Sequence, residues 1–232
     1  MPLLRRGLFL EIDLYKGNSM NPDAAAVPAM ERNDSETLHQ FLRSLGNAID
    51  AKDSGTGSHS EQVARVAEAI GWAMGLSGQE VRWLHIAGQL HDIGKIGIPD
   101  SLLSKAAPLD DEEWELIIAH PAKGAAIIRP VAEFATPGGV ADMVLCHHER
   151  HDGQGYPAEL KGDEIPLGAR IISVADTLST MMQNRPYRPG RSFTDAADEI
   201  AKCAGTAYDP DVVEVFLTVR DDIEHMMAEN GD

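Results

Sequence analysis

The chain has little sulfur chemistry to offer: 232 residues contain only two cysteines, Cys146 and Cys203. No disulfide framework is implied, and a reducing compartment fits. Aromatic residues make up 5% of the chain, and Trp72, Trp83 and Trp114 stand singly in helical patterns. They read as core or rim residues and not as base-stacking platforms. Basic residues are outnumbered, with 20 Lys and Arg against 37 Asp and Glu, a formal net charge of −17. A partner for polymeric nucleic acid shows a basic face, so that class is excluded. Long apolar runs are missing too. The opening "MPLLRRGLFLEIDLYKG" is cut by Glu11 and Asp13, too short and too charged for a signal peptide or a membrane span. The expectation is a soluble cytoplasmic protein with no membrane partner. Strand alternation and internal repeats are also absent, which leaves an all-α fold.

What is present is helical periodicity. Residues 1–34 are weakly patterned and read as a tail or linker, 35–228 as one helical domain, and 229–232 as a short tail. From Ser35, "SETLHQFLRSLGNAIDAKD" sets Leu38, Phe41, Leu42, Leu45 and Ile49 on one face. After the glycine-rich "SGTGSHS", Val63, Val66, Ala67, Ile70 and Met74 recur at helical spacing. Ser77 and Glu80 form a capping box, and Asp110 and Glu113 frame another start. The acidic run "LDDEEWE" suits that helix N-terminus. Further helices are expected over "WELIIAH", stopped by Pro121, over "ADMVLCHH", "PLGARIISVADTLSTMMQN" and "TDAADEIAKCAG", and from Pro210 to about Ala228.

Candidate metal ligands fall at the ends of these helices. His91 and Asp92 close one, His120 another, and His147 and His148 a third; His59 opens a helix and Asp176 lies inside one. Six of the nine histidines, counting His151, belong to this set or flank it. Helix ends converging on one cleft can build such a site. Imidazole with carboxylate suits zinc, iron, manganese or nickel, and the absence of cysteine from the set argues against a structural zinc cage. An aspartate next to a histidine can offer one oxygen to each of two ions, an arrangement that serves phosphoryl chemistry. His39, His85 and His225 read as ordinary surface or core residues, and Cys146 as a small buried hydrophobe. Between Thr177 and Thr194, Arg185, Arg188 and Arg191 form a positive island without a single acid. A small anionic ligand therefore stays open.

Taken in order, "HSEQVARVAEAI", "LHDIGKIGIPDSLLSK", "HPAKGAAII", "HHERHDGQGYP" and "ARIISVADTLSTMMQNRPYR" resemble successive blocks of the HD-GYP domain family of the HD phosphohydrolase superfamily. The likeness runs from about Leu38 to Leu217. It implies a helical bundle of the HD-domain type and hydrolysis of cyclic di-GMP to linear pGpG, with GMP as a further product. By the same resemblance His59, His91, Asp92 and Asp176 hold a first metal, and Asp92 bridges to a second held by His120 and His147, with His148 in or beside that shell. Iron or manganese is implied ahead of zinc or nickel. Asp92 and Lys95 take catalytic roles, and Lys95, Arg185 and Arg188 hold substrate phosphates. In the loop "DGQGYP", Gly153 and Gly155 supply positive φ and close backbone approach, and Tyr156 lies at the cleft edge.

Where related proteins carry a glutamate four residues before the first ligand histidine, for a third metal, this chain has Gly55. The nearest upstream carboxylate, Asp53, reads as lying on a flexible stretch, so two metals are expected. The receiver or sensory domains usual in the family have no counterpart in the weak N-terminal pattern. Regulatory or diguanylate cyclase proteins acting in trans, and a homodimer, are accordingly among the expected partners. The competing reading is a catalytically weak cyclic-dinucleotide sensor or a docking module using the GYP loop. A third is a hydrolase of another cyclic dinucleotide.

Overall fold

The computed structural model describes residues 29–53, 58–184 and 189–228, with side chains from residue 36 onward. Among them the chain is all-helical, with one isolated bridge between Ala204 and Tyr208. Among the described residues no helix is long and apolar enough to cross a membrane. The first helix, α1 (Ala29–Asp53), begins earlier than the periodicity suggests. A division between two compact units falls inside it, between Phe41 and Leu42. In the first unit Leu38 and Phe41 are exposed, against the expectation of one continuous apolar face. In the second the buried stripe starts at Leu42 and continues through Ile49.

The second unit is built around two helices. In α2 (His59–Ala73) Val63, Val66, Ala67 and Ile70 are fully buried, the expected face. In α8 (Leu167–Met182) Ile171, Ile172, Val174, Ala175 and Leu178 are fully buried as well. Between them in sequence, α3 (Gly78–Leu90) starts with the predicted capping box. The Glu80 amide donates to Ser77 Oγ, and the Glu80 carboxylate accepts from the Ser77 amide at 2.8 Å. Helices α2 and α3 cross at closest approach at Gly88, where an added Cβ would lie 2.5 Å from Ala64 Cα.

A 3-10 turn (Ile93–Gly97) and a single-turn α4 (Asp100–Leu103) lead to α5 (Asp111–Ile118), capped by Asp110 and Glu113 as expected. Pro121 does not stop a helix. It sits in the first turn of α6 (His120–Ile128), where a missing N–H costs nothing, and the break falls two residues earlier, at Ala119. Then come α7 (Val140–Cys146), α9 (Phe193–Lys202), α10 (Pro210–Thr218) and α11 (Arg220–Ala228). The expected single helix from Pro210 is thus two, divided at Val219, where the backbone leaves helical geometry.

Candidate metal centre

Each candidate ligand stands where the backbone of its helix changes course, Asp176 excepted. His91 caps the end of α3 and Asp92 opens the 3-10 turn. His120 begins α6, His147 caps the end of α7, and His59 begins α2. Asp176 sits midway along α8. The final carbonyls of a helix lack the regular intrahelical donors, and the imidazoles use them. His91 Nδ1 donates to the Gly88 carbonyl at 2.8 Å, His120 Nδ1 to that of Ile117 at 2.8 Å, and His147 Nδ1 to that of Val144 at 2.7 Å. His59 Nδ1 lies 2.9 Å from Ser179 Oγ, whose own hydroxyl donates to Gln62 Oε1 and so accepts from the ring. With Nδ1 engaged in this way in all four rings, Nε2 is the nitrogen that each turns toward the site.

Those Nε2 atoms gather in two groups. His59, His91 and Asp176 form the first, and Asp92, His120, His147 and His148 the second, with the ligand atoms of each group within 4.8 Å of one another. In the first, His59 Nε2 is 3.3 Å from His91 Nε2 and 3.2 Å from Asp176 Oδ1. In the second, His120 Nε2 is 3.4 Å from His147 Nε2 and 3.2 Å from Asp92 Oδ1. The other oxygen of Asp92, Oδ2, is 3.3 Å from His91 Nε2 and 4.0 Å from His59 Nε2. Asp92 therefore turns one oxygen toward each group. Donors about 2.1 Å from a single ion stand roughly 3.0–3.4 Å apart, so the spacing and the donor chemistry fit two divalent cations.

The electrostatics divide the same way. Burial disfavours charge on His91, but Asp92 and Asp176 outweigh it and raise its pKa to about 9. Burial drives the pKa of His147 well below the usual range, and the imidazoles it faces push it the same way. Burial likewise lowers His148, to about 4. Burial would raise the Asp92 carboxyl, yet Lys95 and His91 hold it well below the ordinary carboxylate range. Asp176 is lowered against burial by the hydrogen bond from His59 and the charge of His91.

Lys95, expected at the substrate, is bound to two carboxylates. Its Nζ donates to Asp92 Oδ2 and to Asp53 Oδ2, each at 2.6 Å. A cleft of about 160 Å³ opens here, lined in part by Asp53, His59, Asp92, Lys95, His148 and Asp176. Asp53 is therefore on no flexible stretch. It ends α1 with its carboxylate in the cleft, which corrects the sequence reading. Gly55, Arg185 and Arg188 lie outside the described residues. Arg191 is on the surface, 3.7 Å from Glu199.

Of the two loop glycines only Gly153 takes a positive φ, and Gly155 shows the close backbone approach. Gly153 has φ +82°, and a Cβ on Gly155 would meet the Arg150 amide nitrogen at 2.3 Å. Tyr156 packs on His148 with ring centroids 4.9 Å apart, and Trp114 meets Tyr156 edge-on at 6.2 Å. Trp114 is half exposed, a rim residue. His151 is not drawn into either group; its backbone binds Ala207 and Gly162 instead. Glu149 was missed by sequence reasoning. It is buried, and its carboxylate accepts from the Ala158 amide at 2.7 Å and the Leu160 amide at 3.1 Å, pinning the loop after Tyr156. Ser179, which fixes the His59 tautomer, was missed too, because a serine inside an apolar helix carries no signal of its own.

A sequence model described as an HD domain matches residues 43–212. The chain is 35% identical over 206 residues to the cyclic di-GMP phosphodiesterase response regulator RpfG of Xanthomonas campestris, covering 88% of this chain and 53% of that protein. It is 36% identical over 178 residues to the 3′3′-cGAMP-specific phosphodiesterase 3 of Vibrio cholerae, covering 77% and 38%. The chain thus spans about half the length, or less, of these curated relatives. The crystal structure of the cyclic GMP-AMP specific phosphodiesterase V-cGAP3 of V. cholerae shares the fold, with a TM-score of 0.61 at 23% identity over 84% of this chain and 49% of that one. With two histidine groups joined by the aspartate of "HD", and "GYP" in the loop beside them, the chain belongs to the HD domain family, in its HD-GYP branch.

Proposed function

We propose that this chain is a metal-dependent phosphodiesterase that opens cyclic di-GMP to linear pGpG. The observation that carries this is Asp92, with one oxygen on each of two histidine groups at the floor of the cleft. Two divalent cations, iron or manganese ahead of zinc or nickel, would be held by His59, His91, Asp92 and Asp176 and by Asp92, His120, His147 and His148. Bound there, they supply Lewis acidity to a phosphoryl oxygen and lower the pKa of water. The residues do the rest. Asp92 fixes the spacing of the two positions, and the four Nδ1 contacts hold the rings in the ligating tautomer. Lys95 and the arginines Arg185 and Arg188 bind the phosphate that is cleaved. Water adds to phosphorus, the bond to one 3′ oxygen breaks, and that oxygen takes up a proton. Tyr156, held by Gly153, Gly155 and Glu149, forms the cleft edge against the nucleotide.

Turnover of cyclic di-GMP by metal-loaded protein, beside bis(p-nitrophenyl) phosphate as a plain diester, tests the proposal. Absence of both would overturn it and favour a sensor or docking role. Because one relative is named for 3′3′-cGAMP, a mixed cyclic dinucleotide is the second reading, and a higher kcat/KM for it would displace the first. Cyclase or regulatory partners in trans, and a homodimer, belong to the same proposal. Elemental analysis of protein purified without added metal or chelator should give two ions per chain, with pGpG as the dominant early product; three ions would contradict the two-metal reading.

Arg185→Ala should lower kcat/KM for cyclic di-GMP by about 1.5–3 kcal/mol, the worth of a charge-assisted hydrogen bond. Metal content should not change. Arg191→Ala is the control. Its guanidinium stands beside Glu199 on the surface, and its loss should leave both quantities where they were.

A further inference from the structure

Asp53 belongs to no recognised motif, yet it shares Lys95 with the bridging aspartate. The ammonium reaches both Oδ2 atoms at 2.6 Å. The Asp92 oxygen it occupies is the one that faces the first group, 3.3 Å from His91 Nε2. A cation held by His59, His91 and Asp176 needs that oxygen, and two positive charges so close repel strongly in a buried site. Lys95 must then give up Asp92. Asp50, the other carboxylate lining the cleft near Asp53, is already committed: its oxygens accept from the Ser60 amide at 3.0 Å and the Ser60 hydroxyl at 2.7 Å. Asp53 is the acceptor that Lys95 already holds.

We propose that Asp53 is a positioning residue for Lys95. It retains the ammonium on the cleft wall when the first metal position fills, so that Lys95 releases Asp92 Oδ2 and keeps its remaining N–H groups for a substrate phosphate. The inference rests on the two-group metal centre proposed above and assigns Asp53 to the lysine, not to a third cation.

A double-mutant cycle read by metal affinity tests it. Manganese affinity is measured by chelator competition on the full chain and on Asp53→Asn, Lys95→Met and the double variant. Asp53→Asn keeps the side-chain shape but loses the charge that draws Lys95 away, so one of the two affinities should fall about tenfold, a mid-range coupling for groups in direct contact. Asp53→Glu should restore most of it. In the Lys95→Met background the same Asp53→Asn change should have no effect, since there is no ammonium left to relocate. An undiminished loss in that background would show Asp53 acting on the ion itself and overturn the proposal, as would unaltered affinities in Asp53→Asn. Failure of the diesterase reading appears elsewhere, as wild-type protein that binds manganese but turns over no cyclic dinucleotide.

Discussion

Asp92→Ala should abolish turnover of cyclic di-GMP and bring the metal content below one ion per chain. Asp92 faces both groups, with Oδ1 at 3.2 Å from His120 Nε2 and Oδ2 at 3.3 Å from His91 Nε2. Its loss takes a ligand from both positions at once and leaves Lys95 with Asp53 as its carboxylate partner. Asp92→Asn preserves the shape and one oxygen but not the negative charge, so it too should lose metal while keeping the helical far-ultraviolet spectrum. Near-normal turnover in Asp92→Ala would refute the two-metal mechanism outright.

The candidate ligands were legible in the sequence because helix ends are. His91, His120 and His147 each stand at a junction between helical segments, and the ring at such a place can use a spare carbonyl three residues back. That contact follows from the local pattern, so the ligating tautomer does too. Asp176 carries the weakest mark of the candidate set, since a single aspartate in an apolar helix could equally be a surface residue. What escaped notice was tertiary. Asp53 looked remote because "DSGTGSHS" separates it from His59, whereas its partner Lys95 is 42 residues further along the chain. Glu149 reads as one more acid in "HHERHDG" until Ala158 and Leu160 are seen donating to it. The Pro121 reading failed for a local reason. Proline marks a helix start as readily as a stop, and "AHPAKGAAII" supplies a following apolar stripe that settles which. The division at Val219 had no such mark.

Gly94→Ala should be nearly as damaging as loss of a ligand, although glycine binds nothing. Gly94 lies two residues after Asp92 in the 3-10 turn, packed against the first turn of α6. A Cβ there would stand 1.9 Å from the His120 carbonyl oxygen and 2.6 Å from the Gly124 nitrogen, both backbone atoms. No rotamer relieves such a contact, so the turn and α6 must separate. Overpacking in a close-packed core costs about 1–3 kcal/mol, and a backbone clash of this kind belongs at or above the upper end. The displacement acts directly on the site, because the turn carries Asp92 and α6 carries His120, and the 3.2 Å approach between them defines the second group. The expected result is a urea midpoint lowered by the equivalent of about 3 kcal/mol, with retention of the first ion and loss of the second. Gly97→Ala is the comparison within the same turn. Its Cβ would meet only the flexible Lys123 side chain, at 3.3 Å, and the change should shift neither midpoint nor metal content. Equal effects at the two glycines would mean that the turn tolerates or rejects side chains as a whole, and that the packing of Gly94 against His120 does not set the second site.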